Sequence, residues 1–414
     1  MTTQPTLFEG ARLQMTDSIR LTVESLQVYG EAHEHWAIAF SGGKDSSALV
    51  TLVTWLILSG RVKAPRTLTV LYADTRLELP PLWLSAQTIL GELVEHAPAL
   101  AALGCTLDVR TVMAPLDKRF LVYVLGRGVP PPNNNTLRWC TRQIKVDPMR
   151  AELARLMGDR GDVLTLTGVR MGESAARDAR IALSCSKGDG ECGQGWYQRD
   201  LADRGQATLA PLLHWRICHV WEWLDGWAPR EEHGDWSTRL LAQAYGGRDG
   251  DEAAEIAART GCSGCPLATQ DTALDNVLRM PSWSHLAPLK RLRPLWREMR
   301  RPLMRLRKSG LELRKDGTPA ANPQRMGPLT LDARRRALAE VLSIQSEING
   351  AALATGRQCI DILNAEERDR IIELIDKGTW PDGWEGDEPR ADVLMEKLFA
   401  DGTAQPLLLG LEDS

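Results

Sequence analysis

Apolar and polar positions along this chain change their period repeatedly, and each change marks an element. Residues 11–34 carry apolar side chains at helical spacing, the pattern of an amphipathic helix. A continuous apolar run at 36–40 predicts a short buried strand, followed by the loop "SGGKDS" and an apolar helix reaching about residue 59. "RTLTVLYAD" predicts a second strand ending at Asp74, with a helix after it to about residue 95. "CTLDVRTVM" predicts a third strand, followed by helix-like "DKRFLVYVLG". Beyond the loop "RGVPPPNNNT", residues 141–157 read as helix, "DVLTLTGVR" as a fourth strand, and "ATLAPLLHW" as a fifth ahead of the helix "CHVWEWL". Strands alternating with helices imply βαβ units, so the expected fold class is α/β, a doubly wound, Rossmann-like parallel sheet. Ligands of such sheets sit at the carboxyl ends of strands, where the glycine loop, Asp74 and Arg170 all fall.

The periodicity also divides the chain. Residues 1–34 form an N-terminal helix and 35–280 the α/β domain, with 181–208, rich in Gly, Asp and Cys, as an insertion or lid. Residues 281–378 make a basic, helical C-terminal region, and 379–414 a Gly- and acid-rich tail. From Lys290 to Arg336 fifteen Lys and Arg stand against four acidic residues, which makes this stretch a candidate for DNA backbone contact; it also reads as a solvated helix face or as a surface for an acidic partner.

Composition adds limits. The 414 residues suffice for two or three domains, and 43% hydrophobic with 25% charged residues is ordinary for a globular enzyme. A net charge of -4 offers no global attraction to nucleic acid or anionic membrane, so any such surface is local. The start lacks a basic and apolar leader pattern, and the apolar run at 48–58 falls far short of the roughly 20 residues that cross a bilayer, so a cytoplasmic protein is expected. Eight cysteines in such a compartment point to metal binding or reactive thiols rather than disulfides. Most of the fourteen tryptophans are expected in the core, and Cys105, Cys218 and Cys359 as small buried apolar residues.

The loop Ser41-Gly42-Gly43-Lys44-Asp45-Ser46 is the strongest chemical signal. It fails the G-x-x-x-x-G-K-[ST] pattern, because Ile38 stands at the first glycine position and Asp45 follows Lys44. Its glycines still allow a close backbone approach, and successive N–H groups running into a helix form an anion nest. Ser41 and Ser46 can add hydroxyl donors. Asp45 would repel a phosphate beside it unless it caps the helix or binds Mg²⁺.

"SGGKDS" after an apolar strand resembles the PP-loop of the ATP pyrophosphatases, whose fold is of the adenine nucleotide α-hydrolase type. The resemblance implies binding of ATP with Mg²⁺ through Ser41, Gly42, Gly43, Lys44, Asp45 and Ser46, with Asp74 and Thr75 near the nucleotide or metal. It implies cleavage between the α and β phosphates. "LRWCTRQIK" and "GVRMGESAARDAR" resemble elements of the phosphoadenylylsulfate reductase-like branch. "RGVPPPNNNTLRWCTRQIK", "RTGCSGCPLATQDTAL" and "GPLTLDARRRALAEVL" resemble the DNA phosphorothioation proteins of the DndC and SspD type, SspD more closely. That family implies DNA, a cysteine desulfurase and further subunits of the modification system as partners.

Arg138, Lys145, Arg170 and Arg177 supply cations suited to crowded phosphates, with Lys44, Asp45, Arg170 and Glu173 as the catalytic set. Cys262 and Cys265 have C-x-x-C spacing; with Cys140, and Cys192 or Cys185 as a fourth, they could hold an iron–sulfur cluster, as the resemblance implies. Zinc, or a metal-free pair relaying persulfide, uses the same spacing. A sulfonucleotide reductase is a rival reading that predicts a catalytic cysteine near the C-terminus, and none follows Cys359. A tRNA thiolase is a further rival reading, whereas a non-catalytic, ATP-binding scaffold on DNA is disfavoured by the intact "SGGKDS".

Overall fold

The computed structural model describes residues 13–133, 138–172, 196–200, 206–245, 262–308, 316–318, 320–393, 396–399 and 401–406. They belong to two compact units: Met1–Asp74, Glu78–Val112 and Pro148–Thr260 in the first, Thr75–Leu77, Met113–Asp147 and Gly261–Ser414 in the second.

The first unit is built on a six-stranded sheet. Its strands are β1 (His35–Phe40), β2 (Thr67–Ala73), β3 (Thr106–Val112), β4 (Val163–Leu166), β5 (Trp196–Asp200) and β6 (Gln206–Ala210), in spatial order β3-β2-β1-β4-β6-β5. β1, β2, β3, β4 and β6 run parallel, while β5 pairs antiparallel with β6 at the edge. The chain winds outward from β1 through β2 to β3, then returns to place β4 on the other side of β1. This reversal creates a switch point beside β1, where a doubly wound sheet opens a ligand crevice.

The fold is therefore α/β and doubly wound, with one departure from the expected all-parallel sheet. β5 and the start of β6 lie inside the segment expected to be an insertion, and the rest of that segment lies outside the described residues. An edge strand buries one face only, so "WYQRD" lacks the continuous apolar signal of the central strands. Its Tyr197 ring stacks on Tyr29 with centroids 4.8 Å apart.

β1, β2 and β4 are buried along nearly their whole length, as their continuous apolar sequences require. Helix α1 (Met15–Ser25) is anchored by Trp215, whose indole Nε1 donates to Thr22 Oγ1 at 3.0 Å. Helix α2 (Lys44–Leu58) follows β1 and is apolar all round, so it is buried on every side from Ser46 to Ile57. Its polar exceptions bond back along the helix, Thr51 Oγ1 to the Ser47 carbonyl and Thr54 Oγ1 to that of Val50. Helix α3 (Pro80–Glu95) links β2 toward β3, and α4 (Asp147–Arg160) precedes β4. Trp36, Trp215, Trp223 and Trp236 of this unit, and Trp296 of the second, are wholly buried, the packing role expected of them.

Two histidines make this unit sensitive to acid. The His214 Nε2–H donates to the Ser18 carbonyl at 2.9 Å, and His233 sits among Trp55, Trp223 and Trp227. Burial is the main cause that holds both imidazoles below their ordinary value of 6.5. The unfolded chain thus binds protons that the folded chain refuses, so stability falls as pH drops below about 6.5 and is constant with respect to these groups above it. Unfolding midpoints should decline from pH 7 to pH 5, and less steeply in a His214→Gln variant.

The second unit contains α6 (Leu292–Glu298), α7 (Leu331–Ala354) and α8 (Ala365–Asp376), with a two-stranded sheet of β7 (Arg305–Arg307) and β8 (Met326–Leu329). The short helix Ile217–Trp221 of the first unit is α5. α7 is held by Arg334, which is wholly buried and donates to the carbonyls of Leu125, Gly126 and Thr379; burial pushes its pKa down to about 10.

The basic stretch is not one continuous helix. It runs as a 3₁₀ segment Pro281–Arg291, α6, a 3₁₀ turn Pro302–Met304 that opens on its proline, and β7. Many of its cations are engaged inside the unit: Lys290 with Asp275, Arg291 with Glu340 and Glu347, Lys308 with Glu388. Arg305 and Arg307 donate to backbone carbonyls. Cys105 is buried as expected and Cys218 half-buried, but Cys359 is exposed, in a non-helical connection between α7 and α8 rather than on a helix. No described helix is long and apolar enough to cross a membrane.

Candidate nucleotide site and cysteine turn

β1 ends at Phe40, α2 begins at Lys44, and the loop between them sits at the switch point. Gly42 has φ +70°, and a Cβ there would lie 2.9 Å from the Ala86 Cβ of α3, so both the left-handed backbone and the close packing demand glycine. The two serines form a latch. Ser41 N–H donates to Ser46 Oγ at 3.2 Å, the hydroxyls are 3.1 Å apart, and Ser46 Oγ donates to the Gly43 carbonyl at 3.0 Å. Both hydroxyls thus shape the loop. The first-turn amides of α2, which have no intrahelical acceptor, supply the positive end of the helix.

Asp45 does not cap α2; its carboxylate pairs with two cations. Its Oδ1 accepts from Arg170 Nε at 2.6 Å, and its Oδ2 lies 3.3 Å from Lys44 Nζ. Arg170 comes from the turn after β4, where its Nη1 donates to the Trp215 carbonyl at 3.3 Å. Its side chain is 6% exposed and that of Asp45 18%, so this ion pair is largely shielded from water. The same turn brings Gly168 against the loop, where a Cβ would be 2.9 Å from the Asp45 backbone carbon and oxygen and 3.1 Å from Ser46 N. Asp74 continues β2 on the neighbouring strand, its N–H donating to the Val112 carbonyl at 3.1 Å, and both Asp74 and Thr75 are buried.

One residue of this site carries no sequence signal. The phenol oxygen of Tyr245 accepts the Lys44 N–H at 3.2 Å, and its ring lies 5.2 Å from the Lys44 ammonium. In "LLAQAYGG" this tyrosine reads as an ordinary core aromatic.

The cysteines belong to the second unit. Cys265 N–H closes a turn onto the Cys262 carbonyl at 3.1 Å, and Ser263 N–H donates to the Leu77 carbonyl at 2.6 Å. Gly264 has φ +63°, and a Cβ there would overlap the Leu292 Cβ. Three arginines of the basic stretch then fasten the chain that follows. Arg300 donates to the Pro266 carbonyl at 2.8 Å, Arg297 to Ala268 at 3.4 Å and Arg293 to Thr269 at 2.5 Å. Burial and the neighbouring Arg297 hold Arg300 below its ordinary value, and the charge of Cys265 opposes that shift. Gly264→Ala should cost on the order of 3 kcal/mol, from left-handed strain plus overpacking against Leu292. Urea unfolding measures this, and an unchanged midpoint would show that the turn shifts away at no cost.

Cys140 lies near enough to Cys265 for their charges to interact, and burial is the main cause that raises its thiol above the ordinary value. Next to it, Trp139 packs on Phe120 and Tyr123 with centroids 5.6 and 4.7 Å away. Arg138 and Lys145 are both exposed on this segment. Among the described residues, no group of three or more His, Cys, Asp or Glu is arranged to hold a metal ion. The expected positions Glu173, Arg177, Cys185 and Cys192 lie outside the described residues.

No protein-family model matches the chain, and a search of curated proteins found no match. Solved structures are similar to it. Phosphoadenylyl-sulfate (PAPS) reductase from Candida auris, a phosphate complex, is 14% identical over 51% of this chain and 86% of that one, with a TM-score of 0.29. The U34-tRNA thiolase NcsA from Methanococcus maripaludis, with its 4Fe–4S cluster, is 13% identical over 69% of this chain and 76% of that one, with a TM-score of 0.30.

Three elements of the first unit thus converge on the α2 N-terminus: the glycine loop, the turn carrying Gly168 and Arg170, and Tyr245. The positive end of α2, a lysine and a shielded arginine suit a multiply charged phosphate. Asp45 is the partner that holds both cations in register.

Proposed function

We propose that the chain is an ATP pyrophosphatase that activates a DNA backbone phosphate for replacement of a non-bridging oxygen by sulfur. The observation that carries the nucleotide half is the Lys44–Asp45–Arg170 arrangement at the strand–loop–helix switch point. The DNA half is supported by the motif resemblances in the sequence.

In this reading the loop amides and Lys44 bind the β,γ-pyrophosphate of ATP. A non-bridging oxygen of a DNA phosphate attacks the α-phosphorus, and pyrophosphate leaves. The terminal sulfur of a persulfide supplied through a cysteine desulfurase then attacks the DNA phosphorus and AMP leaves; a thiol next takes the carrier sulfur into a disulfide, which breaks the S–S bond and frees the phosphorothioate. Lys44 and Arg170 place positive charge where negative charge accumulates, and Asp45 keeps both oriented between turnovers. Mg²⁺ would neutralise phosphate charge when bound, with Asp45 and Asp74 as the carboxylates proposed to hold it. Arg138, Lys145, Arg177 and Glu173 are proposed to serve the substrate phosphate. Cys140, Cys262 and Cys265, with Cys192, are proposed as the sulfur-handling set, whether as an iron–sulfur site, a zinc site or a persulfide relay.

The test is sulfur incorporation. Full-length protein, a cysteine desulfurase, cysteine, Mg²⁺, ATP and duplex DNA are incubated without oxygen, and the DNA is digested and searched by mass spectrometry for phosphorothioate-linked dinucleotides. Their appearance only with ATP and the desulfurase supports the reading. AMP formation with sulfur recovered in tRNA instead would reassign the acceptor.

A further inference from the structure

We infer that Tyr245 is a positioning residue of the phosphate loop, whose hydroxyl holds the Lys44 N–H and is exchanged for a phosphate oxygen when pyrophosphate or the ATP polyphosphate binds. This rests on the loop being a phosphate site, as proposed above.

Lys44 is the first residue of α2, so its N–H is one of the donors that no helical carbonyl can satisfy. Such an amide, at the positive end of the helix dipole, is where an anion gains most. Here the Tyr245 phenol oxygen, 3.2 Å away, takes that bond. The tyrosine is firmly seated. It is buried, its ring meets Trp221 edge-on with centroids 5.2 Å apart, and its own N–H donates to the Ala242 carbonyl at 3.1 Å. Its hydroxyl also lies close to Gly43, 3.5 Å from where a Cβ of that residue would stand, an ordinary van der Waals distance. The same ring lies 5.2 Å from the Lys44 ammonium, within cation–π range. One side chain thus engages both groups of Lys44 that a phosphate would use.

A single N–H points along one line, so the phenol and a phosphate oxygen compete for it. The phenol offers a neutral hydrogen bond, and a phosphate oxygen a charge-assisted one about twice as strong. Exchange is therefore favourable but opposed by the phenol. Removing only the hydroxyl removes that opposition and leaves the ring in place.

The experiment is isothermal titration of full-length protein with Mg²⁺-pyrophosphate, comparing wild type with Tyr245→Phe. The variant is expected to bind about fivefold more tightly, the equivalent of one neutral hydrogen bond. Equal affinity would reduce Tyr245 to core packing, and weaker binding would make its hydroxyl a direct phosphate ligand; either overturns the exchange. A wild type that does not bind pyrophosphate refutes the phosphate reading itself, a result distinct from binding that the variant leaves unchanged. Should the variant misfold, nitration of wild-type Tyr245 by tetranitromethane, read by peptide mass mapping, decides the matter. Saturating pyrophosphate should slow nitration several-fold, because the reactive phenolate loses the Lys44 N–H donor and gains a neighbouring anion, and an unchanged or faster rate contradicts the exchange.

Discussion

Arg170→Ala is expected to abolish pyrophosphate release and to destabilise the first unit by about 3–5 kcal/mol, the cost of removing one partner of a shielded ion pair. Asp45 would be left with Lys44 alone, and the Trp215 carbonyl would lose its guanidinium donor. The carboxylate would then draw Lys44 away from any phosphate and repel the phosphate as well, so binding and turnover should fall together. Arg170→Lys should recover part of the stability and little of the activity. An ammonium cannot reproduce the geometry that serves Asp45 through Nε and Trp215 through Nη1 at once. Equilibrium unfolding and pyrophosphate release on the same samples separate the two effects. An Arg170→Ala variant with wild-type turnover would remove this residue from the site.

Gly168→Ala should be the most damaging single-methyl change for catalysis. The added carbon would stand 2.9 Å from the backbone of Asp45, so either the β4 turn or the phosphate loop must move. Overpacking of this kind costs roughly 1–3 kcal/mol, which the unit can absorb while remaining folded. A displacement of the catalytic loop by several tenths of an ångström is harder to tolerate, because charge stabilisation depends on preset geometry. Turnover should fall by on the order of a hundredfold with little change in the circular dichroism spectrum. Gly91→Ala is the matched control: it lies within α3 with nothing within 4 Å of the added carbon, and alanine there should be neutral or stabilising by up to about 1 kcal/mol. Equal losses in both variants would show that the effect is not local to the loop.

The central architecture was legible because β1, β2 and β4 are buried on both faces and α2 all round, so burial wrote itself into unbroken apolar runs. β5 escaped because an edge strand lacks the burial on both faces that writes a continuous apolar run. The basic stretch misled for a different reason. Charge density shows that arginines are present but not what they bind, and here Arg293, Arg297 and Arg300 serve backbone carbonyls beyond the C-x-x-C turn. The loop and the placement of Arg170 at a strand end could be read from motif and order. The ion pair between Asp45 and Arg170, 125 residues apart, could not, because it depends on β4 lying beside β1. Tyr245 was invisible for the same reason, since only the fold brings its hydroxyl to the first amide of α2. Cys359, expected to be buried as a small apolar residue, is exposed in the chain between α7 and α8.

The most direct measurement is the product ratio from ATP. Full-length protein purified without oxygen is incubated with Mg²⁺ and ATP, alone and with DNA and a cysteine desulfurase, and the nucleotides and phosphates are separated and quantified. The account predicts AMP and pyrophosphate in equal amounts, lost in Asp45→Ala. ADP with orthophosphate, or no turnover in any combination, would contradict it.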